Sequence, residues 1–209
     1  MRIAIINETS AADRNADLVE ALEGRGYELV NCGMKSGGSS PELTYLHTGF
    51  LTALLLELKR VDLVVGGCGT GQGFLLSAMQ YPGVTCGHIV TPLDAWLFSR
   101  INGGNCISLA LNQGYGWASG VNLRFIFDAI FSQEPGSGYP EARKVSQAES
   151  RERLKKVSSI THRDFADIVE ELPSEVTKPA LSFPGIRELI SSSFLESSRL
   201  AAVLSRLIA

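Results

Sequence analysis

Five glycines fall within eight positions in Gly66-Gly67-Cys68-Gly69-Thr70-Gly71-Gln72-Gly73, with a thiol in their midst. Glycine adopts positive φ without strain and lets a ligand approach the backbone closely. The stretch lies between an apolar run, Val61–Gly67, and a helical one, Phe74–Gln80. Several N–H groups therefore converge at the positive end of the following helix, a place that suits a phosphate, a carboxylate or an enediolate oxygen. A thiol there is expected to have a lowered pKa, hence more thiolate at neutral pH. A thiolate takes a proton from carbon beside a carbonyl, and the adjacent N–H groups with the Thr70 hydroxyl hold the enediolate that results. The plainer alternative is a small residue packed beneath a turn, and the local residues leave both open. No Lys-Ser or Lys-Thr follows Gly73, so the turn is not a nucleotide P-loop. It follows the third strand rather than the first, which makes a nucleotide- or flavin-binding module a weaker alternative.

Other candidates are sparser. Glu8 closes the first apolar run, where a carboxylate binds hydroxyls or serves as a second acid/base. His88 ends the fourth apolar run and reads first as a hydrogen-bonded structural histidine. His47 lies on a helix near Tyr45, in a pocket or on the surface. His162 reads as a capping or exposed residue. Arg100 either meets a substrate anion or joins a surface salt bridge, and Trp96 and Phe98 read as core or interface aromatics. Cys32, Cys68, Cys86 and Cys106 lack CxxC or zinc-type spacing, so no metal site is expected. Cys32, Cys86 and Cys106 read as small core residues.

Holding such a turn requires a sheet, and the patterning supplies one. Arg2–Ile6 is a short buried strand, and Asp13–Glu23 a helix stopped by Gly24 and Gly26. Tyr27–Cys32 is a second strand. After the Gly/Ser-rich Lys35–Ser40, Pro41 opens a long helix to about Arg60. Val61–Gly67, Val84–Val90 and Cys106–Leu111 are further strands, followed by the helices Phe74–Gln80, Pro92–Asn102 and Trp117–Ser132. Strand–helix alternation repeated five times predicts an α/β fold: a Rossmann-like, three-layer, doubly wound, parallel five-stranded sheet. Ligands of such sheets sit beyond the carboxyl ends of the strands. Three polar loops are expected there: Asn7-Glu8-Thr9, Cys68–Gly73 and Asn102–Asn105. Glu134–Pro140 reads as an irregular loop and Gln147–Ser158 as a charged amphipathic helix. Thr161–Leu172 is a further helix in which Thr161 and Asp164 resemble a capping box. A Pro- and Thr-bearing linker follows, and Gly185–Ala209 reads as helical. The expected division is a domain over 1–160 and a helical C-terminal extension over 161–209, packed on that domain or on a partner subunit.

The 209 residues are 44% apolar and 20% charged, with a net charge of −3. That balance is globular, and without a long Lys/Arg run neither nucleic acid nor an anionic membrane surface is an expected partner. The opening apolar run is too short for a signal-peptide core, and no stretch reaches the roughly 18 apolar residues of a membrane span. With free thiols, a cytoplasmic location is expected.

Four matches make the chain resemble the family of type B ribose-5-phosphate isomerases and galactose-6-phosphate isomerase subunits. Arg2-Ile3-Ala4-Ile5 and the polar loop after it resemble the family's first strand. Thr44-Tyr45-Leu46 falls where the family has Asp-Tyr-Pro. Cys68-Gly69-Thr70-Gly71-Gln72-Gly73 matches Cys-Gly-Thr-Gly-x-Gly, the most specific motif, and Asn102-Gly103-Gly104-Asn105 matches Asn-x-x-Asn. The resemblance implies a cofactor-free aldose–ketose isomerase acting on a small sugar. Cys68 would be the base that moves a proton between C1 and C2. Thr70, with the amides of Gly69, Gly71 and Gly73, would stabilise the enediolate. Asn102 and Asn105 would bind substrate hydroxyls or the intermediate, and Tyr45 would line the pocket. The family's sites lie at a dimer interface, which implies a homodimer or homotetramer.

The departures are as informative. The family's Asp-His after the first strand is here Glu8-Thr9. Its ring-opening histidine is here Ile101, which moves no protons. Of its two phosphate-binding arginines only Arg143 has a counterpart, and Tyr139 stands in place of the other. A phosphate clamp needs its donors. With the long tail, these changes resemble a branch acting on 4-deoxy-5-keto-hexuronates, which carry a carboxylate and need little ring opening. A sugar phosphate is the other substrate class. A non-catalytic or half-site partner subunit of a two-chain isomerase is the rival function, against which the retained Cys68 and Thr70 argue.

Overall fold

The computed structural model describes residues 1–191 and 198–208. Five short strands form the sheet: Arg2–Asn7 (β1), Glu28–Asn31 (β2), Leu63–Cys68 (β3), Cys86–Ile89 (β4) and Cys106–Ala110 (β5). They pair in the order β2-β1-β3-β5-β4, all parallel. The central strands are covered on both faces, which is why they read as unbroken apolar runs. Alternation along β1 sends Ile3 and Ile5 into one core and Ala4 and Ile6 into the other. Asn15–Leu22 (α1), Pro92–Leu97 (α4) and Ser119–Phe131 (α5) cover the first face; Tyr45–Glu57 (α2) and Gln72–Ala78 (α3) cover the second. The chain leaves β1 toward one edge and β3 toward the other. The crevice between their carboxyl ends is thus the switch point at which such sheets bind ligands, and Glu8 and Cys68 stand there.

Several expected boundaries move. The long helix starts at Tyr45, not Pro41, because Thr44 and His47 cap it: His47 Nδ1 accepts from the Thr44 amide at 2.8 Å. Residues Thr9–Arg14 form a 3₁₀ helix before α1. The fourth helix is α only to Leu97 and continues as a π turn over Phe98–Asn102, closed by Gly103 at φ 54°. Asn102–Asn105 lies at the amino end of the sheet, not the carboxyl end expected, because it precedes β5 instead of following a strand.

Lys144–Thr161 (α6) runs through the expected start of the next helix, and Asp164 is itself the cap of Phe165–Glu171 (α7), accepting from the Ala166 amide at 2.9 Å. The expected linker is mostly a helix, Ser174–Leu181 (α8), with Pro179 inside it. Proline lacks the N–H that the Glu175 carbonyl would receive four residues back. His47 supplies the substitute: its Nδ1 accepts, so Nε2 carries the hydrogen and donates to Glu175 O at 2.8 Å. Ile186–Ile190 (α9) and Arg199–Ile208 (α10) complete the tail; residues 192–197 and 209 of the expected helical stretch lie outside the described residues. Phe165, Val169, Leu181, Ile186 and Leu204 share one apolar cluster with Phe50 and Leu54 of α2. No helix among the described residues is long and apolar enough to cross a membrane.

Candidate active site

The turn after β3 is fixed by its carbonyls. Cys68 O accepts from Leu111 N at 3.0 Å, Gly69 O from Asn112 N and Gln113 N at 2.9 Å, Thr70 O faces His88 Nε2 at 3.0 Å, and Ser108 Oγ donates to Gly71 O at 2.5 Å. Four successive carbonyls are thus held by the protein, which fixes the course of the turn. Gly71 has φ 74°, and a Cβ there would lie 2.7 Å from His88 Nε2. Only glycine fits both conditions. His88 is a buttress of the turn, in keeping with the structural role its position in the sequence suggests.

Cys68 is buried, and its Sγ lies 4.0 Å from the Thr70 hydroxyl, which is exposed. Thr70 Oγ1 accepts from Gln72 N at 3.3 Å, so its hydrogen is available to a ligand. The three glycine amides are used differently. Gly69 N donates to Ser10 Oγ at 2.9 Å, and Gly71 N to Cys68 O at 3.3 Å. Gly73 N, in the first turn of α3, has no partner among the described residues.

Around this thiol the fold gathers Glu8, Tyr45 and two residues that no sequence pattern singles out. Glu8 is 4% exposed and accepts from the amide and hydroxyl of Ser10. The Tyr45 ring packs on Gly73, where a Cβ would meet it at 3.1 Å. Ser10 and Asn112 are the unexpected members; Asn112 Nδ2 donates to Ser10 O at 2.6 Å. Asn112 follows the carboxyl end of β5, and that position was the available signal. Ser10 offered none, since its role depends on Gly69.

The remaining candidates lie elsewhere. Register pairs Cys68 with Ala110, so Asn105 is five residues back, about 16 Å along the strand at ~3.3 Å per residue. Asn105 commits its amide to the turn before β4, accepting from Thr85 N at 2.8 Å and donating to Gly83 O at 2.8 Å. Asn102 is exposed on the π turn, beside the loop that carries Tyr139 and Arg143. That loop is pinned by Arg151, which donates to Ile101 O at 2.7 Å and Gly136 O at 2.9 Å. Gln147 grips Tyr139 through both backbone groups, at 2.9 and 2.6 Å. Arg143 is exposed in the 3₁₀ turn Glu141–Arg143. Thus Glu8, Tyr45, Cys68, Gly69, Thr70, Gly71 and Gly73 come together, whereas Asn102 and Asn105 lie toward the other end of the sheet and Arg143 is in the exposed turn Glu141–Arg143.

Comparison with known proteins identifies the family and the fold. The sequence profile described as Ribose/Galactose Isomerase matches residues 3–147. A solved 4-deoxy-L-threo-5-hexosulose-uronate ketol-isomerase, in complex with a tartrate, is 35% identical, with a TM-score of 0.94 over 100% of this chain and 99% of its own. A ribose-5-phosphate isomerase from Vibrio parahaemolyticus is 36% identical, with a TM-score of 0.89 over 99% of this chain and 97% of its own. A type B enzyme from Clostridium thermocellum, 18% identical, shares the fold with a TM-score of 0.64 over 78% of this chain and 100% of its own. The tail is therefore common to the first two structures and extends beyond the third. No curated protein matches the chain.

Proposed function

The chain belongs to the ribose/galactose isomerase family and is a sugar isomerase, and from that premise we propose that it interconverts the aldose and ketose forms of a 4-deoxy-5-keto-hexuronate through a cis-enediolate, with Cys68 as base. The observation that carries this is the thiol at the switch point, beside a free hydroxyl, in a turn whose carbonyls are held by the protein. The Cys68 thiolate takes the proton from the carbon beside the carbonyl, and the electron pair moves onto the carbonyl oxygen. The Thr70 hydroxyl and the Gly73 amide receive that charge, while Gly69 and Gly71 shape the turn. The thiol exchanges its proton with solvent and then protonates the neighbouring carbon, and the oxygen-bound proton shifts between the two oxygens. One carbon is oxidised as its neighbour is reduced, so the balance requires no cofactor. Glu8 and Tyr45 bind hydroxyls on the same side.

The substrate class follows from two replacements. Ile101 removes the ring-opening histidine, and Tyr139 removes one phosphate-binding arginine. Both suit a linear or readily opened keto acid. Full-length likeness extends to both a uronate ketol-isomerase and a ribose-5-phosphate isomerase, so the two replacements carry the choice between the classes.

The site is completed by a second copy. Asn102, beyond the amino end of β5, stands too far along the sheet from Cys68 to share one six-carbon substrate with it within a chain. A homodimer in which Asn102 of one copy faces the Cys68 turn of the other meets the requirement. The test is turnover of the purified chain on a 4-deoxy-5-keto-hexuronate and on ribose 5-phosphate. The expected result is turnover of the uronate with kcat/KM at least a hundredfold higher than for the phosphate. A preference for the phosphate would overturn the substrate class, and no turnover of either would favour the half-site subunit.

A further inference from the structure

Arg100 differs from the ion-paired arginines of the chain. Arg25 meets Asp128, Arg124 meets Glu20, and Arg163 meets Glu171. Arg100 has no carboxylate within ion-pair distance among the described residues. Rings hold it instead: its guanidinium carbon is 4.9 Å from the Trp96 centroid and 5.8 Å from that of Tyr139. The two rings meet edge to face at 4.9 Å. The backbone is fixed as well, since Gly138 N donates to Arg100 O at 2.7 Å and Gly136 N to Ser99 O at 2.8 Å. Between those two glycines lies Ser137, whose buried Oγ has no hydrogen-bond partner, and Arg100 Nε is likewise buried and unpartnered.

Two orphaned polar atoms on adjoining segments destabilise the unliganded chain. A cation fixed by aromatic faces keeps its N–H groups uncommitted. That arrangement is a receptor waiting for an acceptor with two oxygens. We infer that Arg100 holds the substrate's carboxylate, and that Trp96 and Tyr139 are positioning residues that orient its guanidinium. The planar fork of one arginine matches the two oxygens and single charge of a carboxylate. The side chain that stands where the family has a phosphate-binding arginine, Tyr139, is thereby reused to orient a different one, two residues before Asn102. The same role accounts for Trp96, which by sequence alone reads as a core or interface aromatic. This inference rests on the uronate reading above.

The experiment compares kcat and KM for the full chain, Arg100→Gln and Arg100→Lys. The substrates are a 4-deoxy-5-keto-hexuronate and the same carbon frame with CH₂OH in place of the carboxylate. The expected result is a rise of about tenfold to a hundredfold in KM for the acid in Arg100→Gln, with kcat changed only a few-fold. The acid-over-alcohol preference falls by the same factor, and Arg100→Lys recovers part of it. If wild type turns over the acid and Arg100→Gln keeps its KM, the carboxylate is held elsewhere and only this inference fails. Equal losses on acid and alcohol in both variants would assign Arg100 a structural role and also overturn it. Dissociation of the oligomer in Arg100→Gln, seen by light scattering, would mean that a second copy supplies the acceptor, and the carboxylate role would fall with it. A wild type that turns over the phosphate and not the acid refutes the uronate reading itself.

Discussion

Ser10 joins two parts of the site that are remote in sequence: its hydroxyl donates to Glu8 and accepts from the Gly69 amide at 2.9 Å. A short polar side chain thereby ties the carboxylate at the end of β1 to the turn that carries Cys68. Ser10→Ala leaves the Gly69 amide without its acceptor and Glu8 with only the residue-10 backbone amide as donor. A lost hydrogen bond of this kind costs about 1 kcal/mol, and more where a charged group is left unpaired. We expect a fall in kcat/KM of about tenfold with the melting temperature lowered by a few degrees. Unchanged kinetics would show that Glu8 and the turn act independently. Cys68 and its glycines were legible without the structure because the motif is contiguous. Ser10 was not, because its role arises from a contact with Gly69 that no local pattern records, and Asn112 was marked only by its place after β5.

Strands were the most legible elements, since β1, β3 and β5 lie buried on both faces and spell that out in apolar runs. Helix ends were less so. Pro41 looked like a helix start, yet the cap is made further on, by His47. Pro179 looked like a linker residue, yet its missing N–H is offset by His47 donating to Glu175 O from α2. The Asn102 loop was expected at the wrong end of the sheet because it was counted with the loops that follow strands, whereas it follows a helix and leads into β5. The apolar layer under α2 has a measurable consequence. Burial pushes the Cys32 thiol up from 9.0 to about 11 and the Tyr81 phenol up from 10.0 to about 12. Tyr81 packs between Phe50 and Phe165, at 6.2 and 6.1 Å, where the tail meets the domain. Both groups are neutral in the fold, whereas the unfolded chain ionises them at lower pH. Stability is therefore complete below about pH 9 and falls as pH rises toward 11 and 12. The Cys32 contribution is about 2–3 kcal/mol. Urea midpoints at pH 8, 9.5 and 10.5 should fall steadily in wild type and less steeply in Cys32→Ala. Parallel slopes would contradict the assignment.

Across the assembled chain, α6 is the element whose environment is incomplete. It has eighteen residues, none of them buried, and Val145, Leu154, Val157 and Ile160 are 72%, 58%, 51% and 83% exposed. A helix this long needs tertiary packing for most of its stability, and Leu154, Val157 and Ile160, at successive spacings of three, share one side of it as an apolar association surface. The same helix holds the loop beside Asn102 through Arg151. Covering it with a second copy would order that half of the site. Leu154→Glu with Ile160→Glu should give monomers by light scattering and lower kcat/KM by more than a hundredfold, with the monomer still folded by circular dichroism. A fully active monomer would refute the two-copy site. The proton-transfer step itself is tested most directly by running the isomerisation in D₂O with wild type and Cys68→Ser, and reading deuterium in the product by mass spectrometry. The account predicts carbon-bound solvent deuterium in the wild-type product and a loss of turnover of about a thousandfold or more in Cys68→Ser. Product without deuterium, or a Cys68→Ser enzyme that turns over at the wild-type rate, would contradict it.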